Sequence, residues 1–91
     1  MNWTVYIVEC SDKSLYTGIT NDLTRRLDAH NKGLGAKYTK HRRPVIIRYG
    51  EAHETQGAAL TREAAIKSLS KTAKLALISE QSSVIPMPKQ K

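Results

Sequence analysis

The sequence predicts an α+β fold of three strands and three helices in the order β-β-α-β-α-α. Two short runs rich in β-branched and aromatic residues come first, and only turn-forming residues separate them. A third such run lies near the middle of the chain, and apolar residues recur at helical spacing after it. The chain has 91 residues, the length of one domain. We expect residues 1–80 to form this domain and the polar, proline-containing residues 81–91 to be a mobile tail.

The first two runs predict a β-hairpin. Residues 2–10 are apolar on both alternating sets, which is typical of a central strand covered on both faces. Residues 11–14 form a turn by composition, and residues 15–19 form the second strand. Gly18 within that strand indicates either a bulge or a close approach of another group to the backbone.

The first helix is predicted between Asn21, a good N-cap, and Gly33, a good residue to follow a helix end. Its leucines form an apolar stripe, which Arg26 and His30 flank. These two side chains therefore lie beside the core instead of pointing straight into water, whereas Arg25 is turned towards the solvent.

Residues 34–43 are predicted to be a basic loop, followed by a third strand at residues 45–49 and a connector at residues 50–54. The formal net charge of +7 favours a polyanionic partner, most simply nucleic acid. The residues that we assign to DNA binding are Arg25, Lys37, Tyr38, Lys40, Arg42 and Arg43. The alternative is that this basic loop is only a solvated segment.

Two further helices are predicted at residues 56–68, capped by Thr55, and at residues 71–80, capped by Ser70. Glu63 falls on the apolar face of the first of these helices. The residues that we expect to face inwards are Ala59, Ile66 and Leu69 in that segment and Leu75 and Ile78 in the last helix. A buried carboxylate is costly unless something compensates its charge, so this glutamate is a candidate functional residue.

The composition excludes several classes of protein. The single cysteine, Cys10, rules out an internal disulfide framework and a multi-cysteine zinc site, and we expect it to be a buried thiol. No apolar run is long enough to cross a bilayer, and the N-terminus lacks the pattern of a signal peptide. We therefore expect a cytoplasmic protein with no membrane partner.

The candidate catalytic residues are Tyr6, Tyr16, Arg26, His30 and Glu63. An arginine can neutralise charge on a phosphate during hydrolysis, and one carboxylate with waters can hold Mg²⁺. A tyrosine can orient or deprotonate water, but a free phenol has a pKa of about 10 and needs help from the arginine or the metal. The set suits cleavage of a phosphodiester bond. The tyrosines share a face of the hairpin if Tyr6 pairs with Gly18 and Val8 with Tyr16.

These residues resemble the motifs of the GIY-YIG nuclease family. The resemblance lies in residues 5–7 (Val-Tyr-Ile), in residues 16–18 (Tyr-Thr-Gly) and in the helical segment 21–31. It continues through residues 35–39, 43–45 and 62–67, and it is closest to the small stand-alone bacterial members of the family.

The resemblance implies a small three-stranded antiparallel sheet flanked by helices, and hydrolysis of DNA with one divalent metal ion, Mg²⁺ or Mn²⁺. By matching motif positions, Tyr6 and Tyr16 take the roles of the two family tyrosines. Arg26 takes the role of the phosphate-binding arginine, His30 that of the helix histidine, and Glu63 that of the metal ligand. We expect low sequence specificity, or specificity supplied by a targeting protein, and a role in DNA repair or recombination.

Three alternatives stay open at this point. The chain can be a nucleic-acid-binding module on the same scaffold without catalysis. His30 can be a helix C-terminal histidine that the helix dipole stabilises in its charged form. Glu63 can be a structural ion-pair partner of Arg26.

Overall fold

A computed structural model describes residues 2–80 of the chain. The elements are β1 (Trp3–Glu9), β2 (Leu15–Thr20), α1 (Leu23–Asn31), β3 (Ile46–His53), α2 (Gln56–Lys67) and α3 (Lys71–Glu80). The predicted class and the order β-β-α-β-α-α are confirmed. The tail predicted at residues 81–91 lies outside the described residues. Within them, none of the helices has the length and apolar character needed to span a membrane.

The three strands form one antiparallel sheet in the order β2-β1-β3. β1 is the central strand, as its apolar character predicts, and its residues from Val5 to Val8 are all buried. Because successive side chains of a strand point to opposite faces, Val5 and Ile7 face one layer of the protein, whereas Tyr6 and Val8 face the other.

Each face of the sheet has its own buried cluster. One cluster joins the sheet to α2 and α3; its buried members are Val5, Ile7, Tyr49, Ala59 and Ile66. The other cluster lies against the leucines of α1; its buried members are Tyr6, Val8, Cys10, Val45 and Ile47. Cys10 is thus a buried thiol, as expected, and burial raises its pKa. The candidate tyrosines belong to the α1 side.

The register of the hairpin is the one that places both tyrosines on one face. Tyr6 pairs with Gly18, and Val8 pairs with Tyr16. The irregularity in the sheet lies between β1 and β3, at Ile7 and Val8, instead of at Gly18. Of the two predictions for this glycine, the close approach is confirmed, because the Tyr6 ring lies directly over it.

Some predicted boundaries differ from the structure. The N-cap of α1 is Asp22 and not Asn21, because the Asp22 carboxylate reaches the backbone N–H of Arg25 at 3.2 Å. Gly33 follows the helix with a positive φ of 79°, as expected for a helix end, and Thr55 caps α2 as predicted.

β3 is longer than predicted, and the apolar faces of the last helices are shifted. Residues 50–53, predicted to be a connector, continue β3 because they pair with residues 3–6 of β1. Leu69 and Leu75 were predicted to face inwards, but they are 38% and 46% exposed. Leu69 lies after the end of α2, and α3 packs on the core through Leu77 and Ile78 instead.

Candidate active site

Four of the five candidate catalytic residues meet on the α1 face of the sheet. β1 and β2 supply Tyr6 and Tyr16, whose ring centroids lie 6.5 Å apart. α1 supplies Arg26 and His30 from successive turns, and the imidazole ring lies edge-on to both phenols at 5.8 and 5.5 Å. The hairpin register and the helical spacing together therefore build this cluster.

Tyr6 is buried and held by two hydrogen bonds. Its hydroxyl oxygen lies 2.8 Å from His30 Nε2 and accepts a bond from Arg26 Nε at 3.3 Å. Burial raises the pKa of the phenol, although the hydrogen bond and the charge of Arg26 oppose that change. Tyr6 is therefore a neutral phenol at physiological pH.

His30 is fully buried at the C-terminal end of α1. Its Nδ1 atom lies 2.7 Å from the hydroxyl of Thr39, and its Nε2 atom is bonded to Tyr6. Burial, and then the charge of Arg26, lower the pKa of the imidazole from 6.5 to about 4. The alternative in which the helix dipole stabilises a charged histidine therefore fails, because this side chain is neutral at pH 7.

Arg26 is the cation of the cluster, and part of its side chain is accessible. The hydrogen bond to Tyr6 is the main factor that raises its pKa, and Tyr16 adds smaller favourable interactions. The guanidinium also borders a cleft of about 440 Å³, which is lined by Thr20, Asn21, Asp22, Arg25, Arg26 and Ala29. A permanent positive charge at the edge of an open cleft is suited to binding a phosphate group.

Glu63, the fifth candidate, lies on α2, the helix that packs on the opposite face of the sheet. Its side chain is 17% exposed, and Oε2 lies 3.3 Å from Lys67 Nζ on the next turn of the helix. Its charge makes a small contribution to the raised pKa of Tyr6, so the carboxylate is electrostatically coupled to that phenol. Within residues 2–80 its ion pair is with Lys67, and none joins it to Arg26. The alternative of a structural pair with Arg26 is therefore not what the structure shows.

The residues around Glu63 fit a metal site of one particular kind. No group of three histidine, cysteine or acidic side chains among the described residues could enclose a metal ion. A hard cation that keeps most of its waters needs only one or two carboxylates, and Glu63 supplies one partly accessible carboxylate whose charge acts on Tyr6. Lys67 would have to move away from Oε2 or share the carboxylate. The donor chemistry therefore fits Mg²⁺ or Mn²⁺ and not a zinc-type site.

The basic loop, residues 34–43, packs directly on the candidate site. Tyr38 stacks on Tyr16 with ring centroids 5.8 Å apart and an angle of 23° between the rings. The guanidinium carbon of Arg42 lies 4.1 Å from the centroid of the Tyr38 ring, a cation–π arrangement. An ordered column of side chains thus runs from the loop surface to the site.

The five basic residues that were predicted to bind DNA fall into two groups. Arg42 bonds to Asp12 at 3.1 Å and to the carbonyl of Tyr38 at 2.8 Å, and Arg43 bonds to the carbonyl of Lys40 at 3.0 Å. These two arginines therefore hold the loop in shape. Lys37, Lys40 and also Arg25 on α1 are exposed, and the basic groups of these residues are the ones best placed to meet a phosphate backbone.

Sequence reasoning missed two side chains that build the site. Thr39 is fully buried, and its hydroxyl is hydrogen-bonded to His30. The Asn31 side chain accepts a hydrogen bond from the backbone N–H of Val45 at 2.7 Å and donates one to the Val45 carbonyl at 3.2 Å. Neither position belongs to a periodic apolar pattern. The only sequence signal for Thr39 is its place in the segment 35–39, one of the segments that carry the resemblance.

A second polar cluster, on the opposite face of the sheet, was also not predicted. Glu51 accepts hydrogen bonds from Tyr49 and, at 2.8 Å, from Arg62, and its carboxylate lies 2.7 Å from His53. Burial acts to raise the pKa of Glu51, but its hydrogen bonds and Arg62 outweigh burial, and the pKa lies below its ordinary value. Because Arg62 precedes Glu63 in α2, this cluster helps to set the position of the candidate metal ligand.

Comparison with known proteins gives a consistent result. The sequence model of the GIY-YIG catalytic domain matches residues 2–76, a span that contains all five candidate catalytic residues. A UPF0213 protein of Staphylococcus aureus strain Mu3 is 54% identical over 77 residues, which cover 85% of this chain and 94% of that protein.

Two solved structures are also similar. The solution NMR structure of a UPF0213 protein from Bacillus halodurans has 41% sequence identity and a TM-score of 0.59, covering 91% of this chain and 88% of its own. The solution NMR structure of an E. faecalis protein has the same identity and TM-score, with 87% and 85% covered.

Proposed function

This protein belongs to the GIY-YIG family, and from that membership we propose that it is a Mg²⁺-dependent endonuclease that hydrolyses phosphodiester bonds in DNA. The family implies a nuclease-type function and a nucleic-acid substrate. The observation that carries the proposal is the position of Arg26. This charged side chain lies at the edge of a cleft, and its Nε atom donates a hydrogen bond to the hydroxyl of the buried Tyr6 at 3.3 Å. A binding surface alone would not need its cation to be anchored by a buried phenol.

The four side chains on the α1 face take different roles in this proposal. Arg26 binds the scissile phosphate and stabilises the negative charge that develops on it during attack. Tyr16 is less buried than Tyr6 and lies beside the guanidinium, so it is the phenol that orients the attacking water and takes part in its deprotonation. Tyr6 and His30 are neutral and enclosed, and they hold Arg26 in position.

Glu63 would hold the divalent ion, with water completing its coordination. When bound, Mg²⁺ or Mn²⁺ supplies positive charge that stabilises the leaving oxygen or lowers the pKa of a bound water. The carboxylate keeps its position through the packing of α2, which Arg62 ties to β3 through Glu51 at 2.8 Å.

The exposed lysines of the basic loop, together with Arg25, supply contacts to DNA phosphates that do not depend on sequence. Specificity is accordingly low, or it comes from a targeting protein partner. The preference for DNA, the cytoplasmic location and the role in DNA repair or recombination stay predictions.

A nicking assay tests this function directly. Purified protein should convert supercoiled plasmid to the open-circular form with Mg²⁺ or Mn²⁺ but not with EDTA. Glu63→Gln and Arg26→Ala should both lose this activity. Glu54→Gln is the matched control, because it removes an exposed glutamate just before α2 and should leave nicking unchanged. If the wild-type protein does not nick plasmid or branched DNA with either metal, the proposal is wrong.

Thermal melting tests the metal site without relying on activity. A ligand that binds only the folded state raises the melting temperature by mass action, so Mg²⁺ should stabilise the wild type and not Glu63→Gln. Glu54→Gln should respond to Mg²⁺ as the wild type does. Equal responses of wild type and Glu63→Gln would show that the ion binds elsewhere.

The second candidate function is a nucleic-acid-binding module without catalysis. The ion pair of Glu63 with Lys67 favours it, because this pair already compensates the carboxylate without a metal. Tight, salt-sensitive DNA binding together with no nicking and no effect of Mg²⁺ on melting would support this candidate over the nuclease.

A further inference from the structure

Thr39 is a fully buried hydroxyl in a basic loop whose other residues are exposed or half-buried. Its Oγ1 atom lies 2.7 Å from His30 Nδ1 and 3.0 Å from the carbonyl oxygen of Ala36. Gly35 makes this approach possible, because a Cβ at that position would come within 2.9 Å of the His30 backbone. The loop is therefore shaped to bring one hydroxyl to one nitrogen of the histidine.

The hydrogen bonds around this hydroxyl form a chain with one consistent direction. Arg26 can only donate, so the Tyr6 oxygen accepts from it, and the Tyr6 hydroxyl proton is left for His30 Nε2. A neutral imidazole that accepts at Nε2 carries its proton on Nδ1. Nδ1–H then donates to Thr39 Oγ1, and the Thr39 hydroxyl donates to the carbonyl of Ala36.

The opposite direction leaves one group without a partner. If the Thr39 hydroxyl donated to His30 Nδ1, then Nε2–H would have to donate to the Tyr6 oxygen. That oxygen would accept two bonds, and its own buried proton would have no hydrogen-bond acceptor among residues 2–80. An unsatisfied buried donor destabilises the arrangement that contains it, so the first direction is favoured.

We propose that Thr39 is a positioning residue that selects the Nδ1–H tautomer of His30 and thereby fixes, through Tyr6, the orientation of the Arg26 guanidinium. The catalytic consequence rests on the nuclease function proposed above, whereas the tautomer itself does not. Thr39 lies between Tyr38 and Lys40 of the DNA-binding loop. The proposal therefore connects the surface that meets DNA to the cation that holds the scissile phosphate.

Nitrogen-15 NMR of the wild-type protein tests the tautomer directly. Long-range correlation spectra at neutral pH should show His30 with a protonated Nδ1 and an unprotonated Nε2. The titratable or charged groups that face this ring are Tyr6 from β1, Tyr16 from β2 and Arg26 from α1. A wild-type spectrum with the proton on Nε2 would overturn the proposal.

Two substitutions at Thr39 distinguish the effect of its hydroxyl group from the effect of its side-chain size. Thr39→Val keeps the branched shape but removes the acceptor, and it should yield a mixture of tautomers. The nicking rate at saturating DNA should fall by roughly tenfold to a hundredfold, by analogy with the loss of the hydrogen-bond partner that orients a metal-binding histidine. Thr39→Ser restores the hydroxyl and should restore both the tautomer and most of the rate.

Thr17→Val is the matched control, since it removes another buried threonine hydroxyl, one that has no hydrogen-bond partner within the described residues. It should leave the tautomer and the nicking rate unchanged. DNA affinity and its salt dependence should stay the same in Thr39→Val, because no phosphate contact is lost. A loss of the salt dependence of binding would instead point to a collapsed loop and would count against positioning.

The outcomes distinguish this inference from the function on which it rests. An active wild type with an equally active Thr39→Val would reject the positioning role and leave the nuclease intact. A wild type that never nicks would reject the nuclease function. The NMR spectra of the wild type and of Thr39→Val would then decide whether Thr39 selects the tautomer of His30. If Thr39→Val fails to fold, the wild-type spectrum and the rate of Thr39→Ser carry the same decision.

Discussion

Gly18 shows how one residue can determine whether the buried site forms. A Cβ at this position would lie 2.5 Å from the hydroxyl oxygen of Tyr6 and 2.7 Å from its Cζ atom. The phenol cannot simply move aside, because it is buried and bonded to His30 and Arg26. The absence of a side chain at Gly18 is thus what allows the Tyr6 ring to pack against the neighbouring strand.

We expect Gly18→Ala to destabilise the protein by about 1–3 kcal/mol, the usual cost of forcing an extra methyl group into a packed core. Gly57→Ala is the control, because a Cβ there meets nothing within 4 Å and alanine is favoured over glycine in a helix. It should be neutral or stabilising by up to about 1 kcal/mol. Urea unfolding curves measure both changes, and equal stabilities of the two variants would contradict this account.

The depressed pKa of His30 predicts a loss of stability in weak acid. The unfolded protein takes up a proton near pH 6.5, whereas the folded protein resists protonation down to about pH 4. The stability is therefore complete above pH 6.5 and falls between those values, by up to about 3 kcal/mol. His30→Gln should show a smaller fall over this range, and His41→Gln, an exposed histidine, should keep the wild-type fall.

At the scale of elements, the sequence predicts what local pattern determines. Two short runs of β-branched and aromatic residues separated by a turn indicated the hairpin, and the spacing of Arg26 and His30 indicated that both flank the core. The last four residues of β3, Gly50 to His53, were missed because they have no strand pattern of their own. They extend the strand only by pairing with β1, a tertiary contact that no local pattern records.

The cluster around Glu51 holds the end of β3 to α2. Glu51→Gln removes the charge that Arg62 and His53 approach at 2.8 and 2.7 Å, and it should destabilise the protein by about 1–3 kcal/mol. Because the pKa of Glu51 lies below its ordinary value, the stabilisation is present above about pH 4.5 and is lost as the pH falls further.

Glu9→Gln serves as the control for this change. Within residues 2–80, the Glu9 carboxylate accepts its hydrogen bonds from Arg48, which is half exposed, so its loss should cost less than about 1 kcal/mol. Acid unfolding followed by circular dichroism should show a weaker pH dependence below pH 4.5 for Glu51→Gln than for Glu9→Gln. An identical dependence for both variants would contradict the role assigned to the cluster.

At the scale of the whole molecule, the two faces of the sheet carry different groups of residues. The α1 face carries the phenols, the imidazole and Arg26, whereas the other face carries most of the helical packing and the Glu51 cluster. Motif spacing predicted the residues that local structure places together. It could not predict Thr39, because the loop reaches His30 through a fold that depends on Gly35 and on bonds such as that of Arg42 to Asp12, thirty positions apart.

The distribution of charge over the molecule predicts where DNA binds. Lys37 and Lys40 are exposed on the basic loop next to the site, so Lys37→Ala with Lys40→Ala should weaken DNA binding. The plot of log affinity against log salt concentration should become shallower by about 1.8, the value for two lost phosphate contacts on duplex DNA.

Lys71→Ala with Lys74→Ala is the matched control, because both double variants lower the formal net charge from +7 to +5. The control lysines lie on α3, which packs on the face of the sheet opposite to α1. If net charge alone governed binding, both variants would lose affinity equally. A shallower slope only for the loop variant would place the phosphate contacts on the surface beside Arg26, whereas an unchanged slope would move the DNA to another face.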